Sequence, residues 1–541
     1  MATRAESATG IAEGGFTRKA SGLVRSWSPV DAWIYNVIAI NIVVNVAIAY
    51  AFMAAIYPQA SQWLAFLIAG AFCTVEAVVY AFFTTAMPRS GGDYVFQSRI
   101  LGGAWASIFA FSAVTLSQVI WMALAGWLGA NIILSPFLTL LGQYYGSSWM
   151  IQNGAWWQTN WGIFTMGVII VAWSAFVNIR GMRLYALLQR WFFAVGCGAL
   201  LVVLVTLLVT SRDTFVANLN QFMSAHYGVS DAYQTVISKA GATDTSFSLN
   251  QTLLAVVVAA FALIYPAWGV QQAGEIKRAN SLRANVYAIV GAEIFSFVIV
   301  AITAALIVDR VGAQFLFAAG SLGAASPLPV PAFFGFFTAL LVNNPLFTWV
   351  IFILFFAWFW MWFTNITLGG TRVMMAMSFD RVLPEWIGKV NARTHTPINA
   401  IVVFSAACIL VTILYAFVPN FVGVTLGLTV LNITGFAATM IAAALFPYLK
   451  RDLFNSTVLA KYTLASIPWI TICGAVFLVF AVYVDYKSLT ASELGINGTT
   501  GLLFVGGTYV VAVVVYVVAR TYRRLRDNLD LGMVYRELPV E

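Results

Sequence analysis

The chain has 541 residues, of which 61% are hydrophobic and only 9% charged, with a formal net charge of +8. Soluble globular proteins carry about 25% charged and roughly 45–50% apolar residues. This much apolar surface excludes soluble enzymes, disordered chains and free nucleic-acid binders, and leaves an all-α polytopic membrane protein.

The first residues carry Arg4, Arg18, Lys19 and Arg25 among small and polar side chains, with no apolar run. They read as a cytosolic tail over 1–30, not a cleaved signal peptide. Apolar runs then predict twelve spans, at 31–55, 62–86, 104–134, 161–178, 187–210, 251–273, 284–308, 346–369, 398–417, 424–446, 466–484 and 500–520. An even number places both termini on one side. With that side inside, only Arg212, Lys239, Arg310 and Lys487 of the 28 Lys and Arg residues fall outside. The expectation is a multi-pass cell-membrane protein with cytoplasmic termini. Its net charge is a topology signal and leaves no basic surface for nucleic acid. The outer segments at 211–250 and 309–345 read as long external loops, and the apolar run Phe333–Leu341 as an external helix on the membrane face. Cys73, Cys197, Cys408 and Cys473 fall in spans and read as small buried hydrophobes. His226 and His395 fall in loops, so no Cys/His cluster suits a metal and no cofactor is expected.

Polar residues inside spans are costly and point inward. Span one holds Asn36, Asn41 and Asn45, the last two on one helical face. Span six holds Tyr265, Pro266, Trp268, Gly269, Gln271 and Gln272. Pro266 removes a backbone hydrogen bond, and Gly269 loosens the same turn. Two readings stand at this point: a broken helix lining a substrate site, or a proline kink with asparagines bonding between helices. Glu76 in span two and Glu293 in span seven are proton-carrier candidates, or else interior carboxyls that are simply hydrogen-bonded. The aromatic run of span eight, Phe355 to Phe363, builds either a cation-friendly wall or packing surface.

Three strings are more specific. Met87-Pro88-Arg89-Ser90-Gly91-Gly92-Asp93-Tyr94 follows span two. Asn178-Ile179-Arg180-Gly181 follows span four. Gly370-Thr371-Arg372, Phe379-Asp380-Arg381, Leu383-Pro384 and Thr396-Pro397 follow span eight. In this order, with twelve spans, the chain resembles the amino acid–polyamine–organocation superfamily of secondary transporters. The resemblance implies a 5+5 inverted repeat, over 31–210 and 251–446, with two extra C-terminal helices in 466–520 and a cytosolic tail over 521–541. It implies that helices one and six are unwound and hold a small-molecule substrate, an amino acid or related amine. Asn36, Asn41, Asn45, Tyr265, Trp268, Gly269, Gln271 and Gln272 are then the contacts, with Ser117 and Gln118 of span three completing the wall. It also places the loop strings at an inner gate, where Arg89 and Arg372 would pair with acids such as Asp93 or Asp380.

The departures from the family pattern bear on substrate. Where amino acid carriers unwind helix one on glycines, this chain has Ile42-Val43-Val44 between Asn41 and Asn45. Either the asparagine side chains hold the break, or carboxylate recognition is weak or absent. Ala267 replaces a glycine, Ala279 a proline, and Gly196 aligns with the lysine of proton-coupled relatives. The coupling ion, proton or sodium, and the oligomeric state are therefore left open. A nutrient sensor on the same scaffold is a further reading. A membrane enzyme would want paired membrane carboxylates or a His cluster, and neither is evident in the sequence.

Overall fold

The computed structural model describes residues 22–331, 333–419 and 421–535. The parts of the expected tails at 1–21 and 536–541 lie outside the described residues. The described chain is helical apart from turns and one small hairpin pairing Thr463–Leu464 with Ile467–Pro468. In order, the helices are α1 Pro29–Ile40, α2 Val44–Ile56, α3 Gln62–Ala86, α4 Gly92–Ile100, α5 Gly103–Tyr145, α6 Ser148–Trp157, α7 Asn160–Arg180, α8 Met182–Val209, α9 Arg212–Tyr227 and α10 Ala232–Ala240. They continue with α11 Leu249–Leu263, α12 Leu282–Val311, α13 Ala313–Leu322, α14 Phe334–Leu340, α15 Pro345–Phe379, α16 Ile398–Phe417, α17 Gly427–Leu449, α18 Trp469–Thr490 and α19 Thr499–Arg526.

Local chemistry sets the helix starts. Ser28 and Asp31 form a reciprocal capping box ahead of α1, with Pro29 at the first helical position. Asn344 accepts from the backbone of Leu346 and Phe347 before Pro345 opens α15. Among the described residues, eleven helices are long and apolar enough to cross a bilayer. The first expected span is different: it is split into α1 and α2 by a turn at 41–43. Both α5 and α12 contain π-helical turns, at Phe111–Leu116, Gly129–Leu134 and Val286–Val290, a feature that is frequent at functional sites.

Several expected loops are structured. The string after span two turns into α4, all nine residues of which are buried. Its entry needs glycine twice. Gly91 has φ +102° and a Cβ there would lie 2.5 Å from the Cβ of Ala376; Gly92 has φ +38° and a Cβ would lie 2.7 Å from Gln271 Oε1. The string after span eight begins inside α15, which runs on to Phe379 and buries Gly370, Thr371 and Arg372. The expected outer loop at 211–250 contains α9 and α10. The external apolar run forms α14, too short to cross a bilayer. It does not lie on the membrane face: Phe334 packs on Tyr50 and Phe355, and Phe337 on Phe215 and Phe315, so the helix is buried in the protein. At the periphery, α18 packs on α17 and α3, and α19 on α5 and α17.

Candidate substrate site and its closure

The two broken helices meet, and side chains hold the first break. Asn41 ends α1 with a left-handed φ of 54°, a conformation asparagine adopts more readily than most residues. Its Oδ1 accepts from the backbone N–H of Val44 at 2.9 Å and Val43 at 3.4 Å. The orphan donors at the start of α2 are therefore satisfied from within the chain. Asn45 donates to the carbonyls of Ile40 at 3.3 Å and Ala262 at 3.2 Å, tying the end of α1 to the end of α11. The asparagine side chains thus hold the first break.

The second break follows α11. Pro266 carries no N–H and opens a 3-10 stretch, Pro266–Glu275. Gly269 lies where this stretch crosses α1: a Cβ there would lie 1.8 Å from Asn36 Oδ1. Asn36 is itself anchored, donating Nδ2 to the carbonyl of Ala288 at 2.7 Å.

Aromatic rings surround the breaks. Tyr265 and Trp268 have centroids 4.6 Å apart. Trp121 of α5 meets Tyr265 edge-on at 6.1 Å and Trp362 of α15 at 5.3 Å. Trp362 donates Nε1 to the carbonyl of Ala39, beside the first break, at 3.0 Å. Asn432 of α17 lies beside the Tyr265 hydroxyl. Within this region both amide atoms of Gln118 and of Asn432, the indole nitrogens of Trp121 and Trp268, the Tyr265 hydroxyl, Asn41 Nδ2 and Asn45 Oδ1 are buried without a hydrogen-bond partner. Each such group costs about 1–3 kcal/mol unless something pairs with it. Several of them cluster at the two helix breaks, which leaves polar side chains there without a partner among the described residues.

The two breaks bring Asn41 and Asn45 to the end of α11, next to Tyr265, Trp268 and Gly269, while Gln118 packs against Gly369 and Gly370 of α15. The other expected contacts are engaged with protein. Ser117 donates to the Ala113 carbonyl at 2.5 Å, Asn36 to Ala288, and Gln271 to Asp93 Oδ2 at 2.8 Å. Gln272 accepts from the Tyr35 hydroxyl at 3.2 Å while its nitrogen donates to the carbonyls of Trp268 and Gly269. Trp362 belongs to the aromatic run noted in span eight, whereas Trp121 and Asn432 were not anticipated. Asn432 carried the usable signal, as a lone asparagine in an apolar span.

On the face that carries both described chain ends lies a lattice of buried ion pairs and hydrogen bonds. Arg372, fully buried, meets Glu275 through Nε at 2.5 Å and Nη2 at 3.1 Å. Arg99 meets Asp380 through two bonds of 2.5 and 2.9 Å. Arg190 meets Asp31 through two more, of 2.6 and 2.8 Å. The expected pairing of Arg372 with Asp93 or Asp380 is thus replaced by pairs to Glu275 and from Arg99. Asp93 instead accepts three neutral donors, from Tyr80 at 2.6 Å, Thr439 at 2.5 Å and Gln271 at 2.8 Å. Arg89 donates to the carbonyl of Pro88 at 3.2 Å. The N-terminal segment seals the edge, with Ser26 and Trp27 donating to the Glu275 carbonyl.

The two acids within spans, Glu76 and Glu293, lie along one helix–helix contact. Along the α3–α12 contact a Cβ on Gly70 would strike Phe297, and Asn285 bonds Thr85. This antiparallel register places Glu76 and Glu293 at the same depth. Both are fully buried, and none of their four carboxyl oxygens has a hydrogen-bond partner.

The amino acid permease family matches this chain over residues 32–518. The chain belongs to the amino acid permease family. No curated protein matches it. The permease is accordingly a multi-pass membrane protein and a transporter of small molecules rather than an enzyme. Its family match runs from the second turn of α1, through both breaks, to the middle of α19.

Proposed function

We propose that the permease is a secondary active transporter that carries amino acids or related small organic amines across the cell membrane by alternating access around the two breaks. The observation that carries this reading is the set of unpartnered buried polar atoms on α1, α2, α5, the Pro266–Glu275 stretch and α17. In this reading α1 and α2 together make the first of twelve spans. The breaks occupy the first helix of each half of a 5+5 inverted repeat, and α18 and α19 are the two extra helices. The distribution of Lys and Arg supports cytoplasmic termini, and in this reading the polar lattice is the closure on the inner side.

A second reading, an amine-specific carrier, draws support from Asn41. The free N–H groups of an unwound helix are a natural carboxylate cradle, and here Asn41 Oδ1 already occupies those of Val43 and Val44. The box of Trp121, Tyr265, Trp268 and Trp362 suits an ammonium group. A thermal-shift panel on protein in detergent, pairing each L-amino acid with its decarboxylated amine, separates the readings. A bound ligand at a hundredfold excess over its Kd stabilises by about 2.7 kcal/mol. Stabilisation by amines alone selects the second reading. Stabilisation by neither, together with no uptake into proteoliposomes, sinks both. Binding without uptake makes the protein a sensor.

Two substitutions sharpen the test. Asn41→Gly uncovers the Val43 and Val44 donors, and we expect it to shift preference toward the amino acid of a pair by about tenfold, or roughly 1.4 kcal/mol. Trp268→Ala removes a wall of the box and is expected to weaken binding at least about tenfold. Unchanged affinity in the Trp268 variant would place the site elsewhere.

A further inference from the structure

We propose that residues 527–535 form a strap that keeps the Arg99–Asp380 pair dry, with Tyr535 as its positioning residue, and that must lift before α4 can part from α15. The proposal rests on the reading of the polar lattice as the inner closure of the permease.

A reversal of the chain builds the strap. Helix α19 ends at Arg526, and Asn528 takes a left-handed φ of 47°, which asparagine tolerates. The N–H of Leu529 returns to the carbonyl of Arg523 at 3.2 Å. Asp530 then accepts from the N–H of Gly532 at 2.9 Å and opens a single helical turn, Leu531–Val534. The apolar side chains of this turn are packed away from water. Leu531, Val534 and Tyr535 are at most 5% exposed, whereas Met533 is 57% exposed.

Tyr535 lies in a seat at the start of α5, where Gly103 leaves room for its ring. A Cβ on Gly103 would lie 1.9 Å from Tyr535 Cε2. The same ring lies over the Arg99 guanidinium, 5.7 Å from ring centroid to carbon, within the range of a cation–π contact. The other partner of the pair is gripped as well. Arg523 donates Nε to the carbonyl of Arg381, the neighbour of Asp380, at 3.1 Å, and holds Asp527 at 2.7 Å. One short stretch of chain thus grips both sides of the contact between α4 and the end of α15.

The side chains of Arg99 and Asp380 are only 3% and 1% exposed. Opposite charges attract most strongly where water is excluded, and parting them there strands both. While Tyr535 is seated, α4 can leave α15 only by that route. Once the ring leaves, water reaches the guanidinium and hydrates the two charges as they separate. The order of events follows: the strap lifts, the pair is wetted, and the lattice opens.

Hydrogen–deuterium exchange of the full-length protein in nanodiscs, read peptide by peptide, tests this without a substrate. Tyr535→Ala is expected to speed exchange about tenfold in α4. It is expected to do the same in α1, which joins the lattice through Asp31 and Arg190 rather than through the strap. Helices α9 and α10, in the expected outer segment, are expected to exchange as in the wild type. Tyr535→Phe keeps the ring and is expected to match the wild type throughout. Gly103→Ala fills the seat while leaving Tyr535 in the chain, and is expected to match Tyr535→Ala. Wild-type exchange of α4 in Tyr535→Ala or in Gly103→Ala would overturn the strap. Faster exchange in α4 without α1 would make Tyr535 a local packing residue and overturn its control of the lattice. An equal rise in α9 and α10 would do so too, as a general loss of stability. If exchange responds as expected while proteoliposomes take up no amino acid or amine, the transporter reading fails and the strap stands.

Discussion

Replacing Arg372 with methionine is expected to cost about 3–5 kcal/mol of stability, the usual penalty for leaving one partner of a buried ion pair alone. Glu275 would be the stranded charge. Its side chain is fully buried and takes two bonds from Arg372, while its carbonyl is already used by Ser26 and Trp27. The loss falls on the closed lattice, so the population shifts toward inner-open forms as well as toward unfolding. The double variant Arg372→Met with Glu275→Gln removes both charges and is expected to recover most of the stability, because an apolar replacement of a buried pair is often close to neutral. Thermal unfolding in detergent checks both. A single variant that melts within about 1 kcal/mol of wild type, on the scale of an exposed pair, would show that this contact does not hold the inner side shut.

The second large effect is expected at Gly269. An alanine there places its Cβ 1.8 Å from Asn36 Oδ1 and 2.6 Å from Asn36 Cγ. Asn36 does not swing aside freely, because its nitrogen is bonded to the Ala288 carbonyl at 2.7 Å. Overpacking of this kind costs about 1–3 kcal/mol. Here it also pushes the 3-10 stretch away from α1 and separates Trp268 from the first break. Gly269→Ala is therefore expected to weaken ligand binding by about tenfold or more while leaving the helical content unchanged. Asn36→Gly in the same chain is expected to restore binding in part, since it removes the atoms in the way. Failure of that second change to help would mean that the loss arises from the backbone of the stretch rather than from the crossing.

Much of this architecture was legible because hydropathy is local. Apolar runs marked the spans, while Pro266, Gly269 and the asparagines were compatible with either a broken helix or a packed kink, and only the family resemblance pointed to the break. What escaped depends on distant partners. The strings around Asp93 and Arg372 look like loops because they are polar. They are buried because Arg99 finds Asp380, Arg372 finds Glu275 and Asp93 finds Gln271 and Thr439, pairings that no window of sequence contains. The same holds for Glu76 and Glu293. Each stood out as an acid in a span, but only the antiparallel register of α3 and α12 places them at the same depth along that contact. Gln271 and Gln272 read as substrate contacts because they flank Trp268; a change of helix type at Pro266 turns them toward Asp93 and Tyr35 instead.

The burial of α4 has a consequence for how the chain is made. Its nine residues emerge from the ribosome early, yet the groups that satisfy them come late. The partner of Arg99 lies 281 residues downstream, and that of Asp93 on α17 lies 346 residues downstream. At about 5–20 residues per second, Arg99 waits roughly 14–56 s for Asp380, whereas Asp93 has Tyr80 from the start. A ribosome stalled anywhere before Thr439 leaves the same segment exposed. The packing of α4 is thus completed only when the chain has been made as far as Thr439.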